Sequence, residues 1–467
     1  MSEKIAGVAR RPRWAWWGGK VSDVNPRHAV RILRAAAGFE ELIWSGGPPL
    51  DRALQAHTRA RRNMGRNDRA VLAEAVYHLA RNREAIRRAL PDAVPGDGDL
   101  LLLAFLDRMG LADPGKVPHL PGGVAPWLQA LGRLERLRAA WVERIGARQK
   151  EPIPRSGPVR EALEALFSVP GWWFDLGPWD RVGEAVRELA RLRRPQELTL
   201  RAQAHRTDRG RVLRELREAG VPARPTDRSP WGVRVAGRHN VLRLPLIREG
   251  RAEVQDEGSQ LVACLCDPKP REKVLDFCAG GGGKALALAA AMGGRGRVVA
   301  HDADPARLRD TRRRARRGGL GNIRVEPSAE QVGREAPYDL ILVDVPCSSS
   351  GTLRRNPDAA WRWTREDLAR LTRIQAEILD RVAPWVRPGG FLVYVTCSLL
   401  EPENRRQIES FLARHPGFEP APLGDRTGHA PLLDVPGADR GVLRLPAVLP
   451  RYGGDAFFLA RLRKGGT

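Results

Sequence analysis

Apolar positions recur at helical spacing through residues 27–145, most regularly in RAVLAEAVYHLARNREAIRRAL at 69–90. That period of about 3.6 predicts amphipathic helices, and Pro and Gly clusters at 46–49 and 91–98 interrupt them. The charged stretch RQKEPIPRSGP at 148–158 reads as a linker, because its prolines and glycine prevent regular structure. From 159 to 250 helical patterns (EALEALF, DRGRVLRELREAG) alternate with short strand-like runs (LTLRAQ, WGVRVAG), the signature of a small α+β domain. From 251 onward the alternation becomes regular: KVLDF, ALALAAAM, RVVAHD, PARLRDTRRRARR, YDLILVDVP, EDLARLTRIQAEILDRV and FLVYVTCS. This order predicts a doubly wound α/β domain with a mostly parallel sheet. VLRL at 442–445 and FFLARL at 457–462 fit an antiparallel hairpin at one sheet edge.

Composition adds a partner to this outline. The 467 residues are long enough for several domains, and 42% hydrophobic residues supply their cores. With 79 basic against 55 acidic residues the formal charge is +24, which favours a polyanion such as nucleic acid. No apolar stretch approaches a membrane span, the longest lying near 286–292, and the N-terminus has no apolar signal region. A soluble cytoplasmic protein without membrane attachment is expected. Five cysteines (264, 266, 278, 347, 397) without metal-ligand spacing argue against disulfides and against a bound metal.

The candidate chemistry sits at strand ends. VLDFCAGGGGK at 274–284 is a strand running into four glycines that open a helix, where backbone can approach a cofactor closely. Asp302 ends the next strand about twenty residues on, placed to accept from ribose hydroxyls. Asp304 precedes Pro305 and reads as a helix N-cap. The absence of GxxxxGK[ST] excludes a triphosphate cradle. LVDVPCSSSG and LVYVTCS end two further strands and put Asp344, Cys347 and Cys397 in the same crevice.

These residues carry a resemblance. VQDEGSQLVA at 254–263, DFCAGGGGK at 276–284, DVPCSSSGTLRRNPD at 344–358, TCSLLEPEN at 396–404 and GGDAFFLARL at 453–462 resemble the RNA cytosine-5 methyltransferases. The likeness is closest to the bacterial small-subunit rRNA branch with a NusB-like domain. It implies a Rossmann-like class I methyltransferase domain at 251–467, a small RNA-recognition-like α+β domain at 159–250, and an all-helical NusB-like domain at 1–150. The implied cofactor is S-adenosylmethionine, surrounded by Cys278, Ala279, Gly280, Gly281, Gly282, Gly283 and Lys284, with Asp302 on its ribose and Asp344 beside it. The resemblance also makes Cys397 the nucleophile and Cys347 the residue that helps release product, with Asp344 on the base. Thiolate addition at carbon 6 of cytosine is what renders carbon 5 nucleophilic, so the chemistry requires such a cysteine. The implied partner is RNA, ribosomal in this branch, bound by a monomer.

Two departures from the family pattern stand out. Gly280 and Gly281 replace the usual alanine and proline of the loop, making it more flexible. Ser328 and Ala329 stand where an adenine-contacting aspartate is usual, so that contact is either absent or supplied by Glu330. The runs RARR (59–62) and RRRARR (312–317), the terminal RPRWAWWGGK, and Arg354 and Arg355 are candidate RNA contacts, although a charge run also suits a solvated helix face. A transfer-RNA substrate is the alternative within the family. An idle RNA-binding assembly factor is the alternative outside it, and the retained cysteines, Asp344 and Asp302 oppose that; a small-molecule or protein methyltransferase would need neither the charge nor the extra domains.

Overall fold

The computed structural model describes residues 48–61, 64–90, 125–194, 197–237, 239–423, 440–445 and 452–466, with shorter pieces at 32–33, 103–105 and 107. The terminal RPRWAWWGGK and Arg62 lie outside them. The chain divides into two compact units, residues 1–195 with 352–365, and residues 196–351 with 366–467. Residues 150–195 fall within the first unit, so the Pro-rich stretch at 148–158, irregular as its composition predicts, lies inside that unit.

The first unit is helical: α1 (Leu50–Ala60), α2 (Arg66–Ala89), α3 (Ala125–Gly146), α4 (Pro158–Phe167), α5 (Trp172–Leu176) and α6 (Val182–Leu192). On α2 the recurring Leu72, Ala75, Val76, Leu79 and Ile86 are fully buried, which is the periodicity realised as one face. The helix kinks at Asn82, whose φ is −121°. There the carboxamide donates to His78 O (2.9 Å) and accepts from Arg138 (3.1 Å) and Arg193 (2.6 Å). Arg138 also makes a two-pronged contact with buried Asp107, both bonds 2.8 Å. Burial would raise that carboxyl, but Arg138 and His78 outweigh it and hold it far below the carboxylate range.

Residues 352–365 return to this unit after the loop that carries Cys347. Asp358 accepts from Leu50 N (3.2 Å), Arg83 stacks over Trp361 (4.5 Å), Arg81 donates to Arg354 O (3.0 Å), and Arg365 pairs with Asp175 (2.8 Å). Arg354 donates Nε to Arg194 O (3.2 Å).

The second unit opens with β1 (Leu198–Ala202), α7 (Arg209–Glu218), β2 (Ala223–Pro225), β3 (Gly232–Val235), α8 (Pro245–Arg248) and β4 (Ala252–Val254). The four strands form an antiparallel sheet in the order β2-β3-β1-β4, packed on Val212 and Leu216 of α7. Then come α9 (Glu257–Cys266), β5 (Lys273–Asp276), α10 (Gly283–Ala291), β6 (Arg297–Ala300), α11 (Pro305–Gly318), β7 (Ile323–Val325), α12 (Ala329–Arg334), β8 (Tyr338–Asp344), α13 (Arg365–Val382), β9 (Val386–Thr396), α14 (Arg405–Arg414), β10 (Phe418–Pro420), β11 (Val442–Leu445) and β12 (Phe457–Lys464).

β9-β8-β5-β6-β7 run parallel, and β12 joins β9 antiparallel, making the Rossmann-like α/β sheet that the alternating pattern predicts. Alternate strand residues feed two cores, Val274, Leu340, Leu342 and Val393 on one face, Leu275, Ile341, Val343 and Tyr394 on the other. Burial on both faces is why these strands read as continuous apolar runs. β11 and β12 pair as an antiparallel hairpin at the edge of the sheet, β12 lying against β9 on its inner side, and β10 adds to β12 beside β11. Among the described residues no helix is long and apolar enough to cross a membrane.

Candidate active site

The parallel strands all end on one edge, and four chain reversals there bring the candidate residues together. The first is the glycine loop between β5 and α10. Gly280 and Gly282 have φ of +56° and +80°, and a Cβ on Gly282 would lie 2.6 Å from Thr311. Gly282 is therefore required by both conformation and space. Asp302, at the end of β6, accepts from Gly280 N with one oxygen (2.8 Å) and from Asp304 N with the other (2.8 Å). Asp304 caps α11 by accepting from Ala306 N (2.8 Å), as its place before Pro305 predicts.

α11 also holds the loop's other face. Thr311 donates to Gly280 O (3.2 Å) and Arg314 donates to Gly281 O (2.5 Å). Arg314 is itself pinned by buried Glu253 of β4 at 3.0 Å. The two carbonyls thus gripped belong to the glycines that replace alanine and proline. The run RRRARR is divided by helical geometry: Arg314 and Arg317 turn in to Glu253, while Arg312, Arg313 and Arg316 are exposed.

The other reversals bring the cysteines face to face. Cys347 Sγ lies 3.5 Å from Cys397 Sγ, and Cys397 lies 3.6 Å from Ser349 Oγ. Cys347 is buried, whereas Cys397 is partly exposed. The contact with Cys397, then burial, then the charge of Glu403 push the Cys347 thiol well up. Lys284, in the first turn of α10, donates to Asp344 Oδ2 at 2.5 Å. Burial would lower this ammonium, but Asp344, Asp276 and Cys397 together raise it. Asp276 is fully buried with no hydrogen bond of ordinary geometry to its carboxyl oxygens, and burial lifts it to about 7 against the pull of Lys284. Burial and the charges of Asp276, Asp344 and Asp302 likewise push the Cys278 thiol up.

Cys278 to Lys284, Asp302, Asp344, Cys347 and Cys397 thus share one edge of one sheet. Glu330 is turned away on the surface, 71% exposed and paired with Arg334. The positive-φ glycines and the carboxylate of Asp302 beside them fit a cofactor bearing a ribose. Among the described residues no cluster suited to a metal is found. Sequence reasoning missed Arg314, hidden in a charge run, and Glu403, whose only signal was its place in TCSLLEPEN.

Known proteins match this arrangement. The family model described as 16S rRNA methyltransferase RsmB/F matches residues 263–463. The chain is 30% identical over 436 residues to a probable ribosomal RNA small subunit methyltransferase B of Synechocystis sp., covering 89% of this chain and 94% of that protein. It is 35% identical over 411 residues to the ribosomal RNA small subunit methyltransferase B of Xylella fastidiosa, covering 85% and 92%. Its fold is similar to that of a methyltransferase homolog protein from Pyrococcus horikoshii, with a TM-score of 0.55 and 25% identity over 66% of this chain and all of that one. The chain belongs to the RsmB/F family of 16S rRNA methyltransferases.

Proposed function

We propose that the protein methylates carbon 5 of a cytosine in small-subunit ribosomal RNA through a covalent bond from Cys397. The observation that carries the reading is the pair of cysteine sulphurs 3.5 Å apart, on neighbouring strands beside the glycine loop. S-adenosylmethionine, the cofactor of these RNA methyltransferases, supplies the methyl group. The backbone of residues 278–283 and the side chains of Lys284 and Asp302 would hold it.

In this reading Cys397 adds as thiolate to carbon 6, and the Lys284 ammonium, electrostatically coupled to Cys397, favours that charge. With one oxygen on Lys284, Asp344 keeps the other for the nitrogen edge of the cytosine. After transfer the proton at carbon 5 leaves to a base, the carbon 5–carbon 6 double bond re-forms, and Cys397 departs. Cys347, buried and kept as a thiol, suits a step after methylation better than the initial attack. The cytosine must be unstacked to expose carbon 6. The exposed arginines of α11 suit phosphate contacts, and the +24 charge suits RNA. A cytoplasmic monomer with an N-terminal helical domain completes the proposal.

The test supplies labelled cofactor with separated small-subunit, large-subunit and transfer RNAs, and runs the cysteine variants on denaturing gels. Label in small-subunit RNA alone is expected. Cys397→Ala should abolish both transfer and adduct, whereas Cys347→Ala should leave protein joined to RNA. Adduct with Cys397→Ala and none with Cys347→Ala would reverse the two roles.

A further inference from the structure

Each cysteine is followed by a serine, and both serines end on the same carboxylate. Ser348 donates its amide to Glu403 Oε1 (2.8 Å) and its hydroxyl to Oε2 (2.6 Å), and Ser398 donates its hydroxyl to Oε2 (2.5 Å). Gln375 of α13 donates to Oε1 (3.0 Å) and to Pro346 O (2.9 Å), the residue before Cys347. The backbone of the same loop is fixed in turn: Tyr394 donates to Glu403 O (2.6 Å), and Asn404 donates to Ser398 O (3.0 Å). Ser350 closes the ring, 3.1 Å from both serine hydroxyls, while Gly351 N donates to Cys397 O (2.9 Å).

Glu403 is fully buried. Four donors converge on its two oxygens, an arrangement that suits a carboxylate. Burial pushes its carboxyl up, and the bonds from Ser348, Ser398 and Gln375 oppose that. Glu403 holds Ser348 by both its amide and its hydroxyl but Ser398 by its hydroxyl alone, so the carboxyl is bound more tightly to the Cys347 loop. Lys284 of α10 is coupled to Cys397 and is paired with Asp344 from β8, with Asp276 and Cys278 behind it on the β5 side. Glu403 and Tyr394 of β9 are coupled to Cys347. Glu401, two residues before Glu403, faces Arg405, Arg444 and Arg406.

We propose that Glu403 is the positioning residue of the cysteine pair: its carboxylate ties the residue after each cysteine to one point, fixes the sulphurs at their separation, and places negative charge on the Cys347 side so that Cys397 is the cysteine that ionises. This rests on the reading of Cys397 as nucleophile. It gives the serines of the two motifs and the glutamate of TCSLLEPEN one shared task.

The experiment measures iodoacetamide alkylation of each cysteine across neutral and alkaline pH, by peptide mass spectrometry and without RNA, in the full chain, Glu403→Gln, Glu403→Asp and Ser398→Ala. In Glu403→Gln, Cys347 should alkylate at distinctly lower pH than in the parent, and methyl transfer should lose about tenfold or more in kcat with KM for RNA unchanged. Glu403→Asp keeps the charge at shorter reach, so it should keep the Cys347 profile and lose part of kcat. Ser398→Ala removes a single tie and covers the case in which Glu403→Gln does not fold; it should lower kcat without moving the Cys347 profile. An unmoved Cys347 profile in Glu403→Gln overturns the charge assignment, and an unchanged kcat in the folded variants overturns the positioning. Full activity of Cys397→Ala would instead overturn the assignment of the nucleophile, and would leave the alkylation result standing.

Discussion

Asp276 shows what this site costs the fold at the level of one residue. Its carboxyl lies near 7 in the folded chain against 3.8 for an ordinary aspartate. Between those values the folded chain keeps a proton that the unfolded chain has released. The stability linked to this group is therefore complete below about 3.8 and is lost as pH rises through about 7. Asp276→Asn should be more stable than the parent above pH 7, with the gain shrinking toward pH 4, in urea melts at the two ends of that window. Asp302 is the opposite case, fully engaged with two backbone amides. Asp302→Ala removes both the loop tie and the acceptors for a ribose, so titration calorimetry should show a loss on the order of 1–3 kcal/mol in S-adenosylmethionine affinity. Unchanged affinity would remove Asp302 from the cofactor's contacts.

At the scale of elements, the glycine loop and α11 act as one device. A loop of four glycines has a large unfolded-state entropy, and α11 offsets it by gripping Gly280 O and Gly281 O. Arg314→Ala should weaken S-adenosylmethionine binding and also lower the melting temperature, because it releases the loop and leaves buried Glu253 to Arg317 alone. Gly281 has no positive φ, and a Cβ there would meet only Arg314 at 3.6 Å. Gly281→Ala should therefore tighten cofactor binding a fewfold, corresponding to about 0.4–1 kcal/mol of ordering removed. Gly280→Ala, at φ +56°, should weaken it. Calorimetry on the three variants distinguishes these outcomes. The sequence made the sheet legible because β5, β8 and β9 are buried on both faces and each ends in reactive residues. What it could not show is which charged residues point inward. Arg314 looks like its neighbours in RRRARR, and only the one-turn spacing to Arg317 opposite Glu253 separates it from them. Glu403 reads as a loop acid until the serines after both cysteines fold onto it. β10 was missed because three residues carry too little alternation to register as a strand.

Across the whole molecule the excess of basic residues sets how RNA is met. If the +24 charge works through displaced counterions, RNA affinity should fall steeply and linearly on logarithmic axes as salt is added, with cofactor affinity unaffected. A flat dependence would assign the charge to another purpose. The return of residues 352–365 to the helical unit has a consequence for how such a gene can be cut and joined. Because the chain leaves the second unit after Gly351 and re-enters it at Glu366, no single break yields both units whole. A transcript beginning at codon 196 encodes a methyltransferase that still carries Leu353, Ala359 and Ala360, buried in the full chain, without the helices that share their unit. That product should bind a hydrophobic dye and precipitate, and residues 1–195 supplied as a separate polypeptide should suppress both.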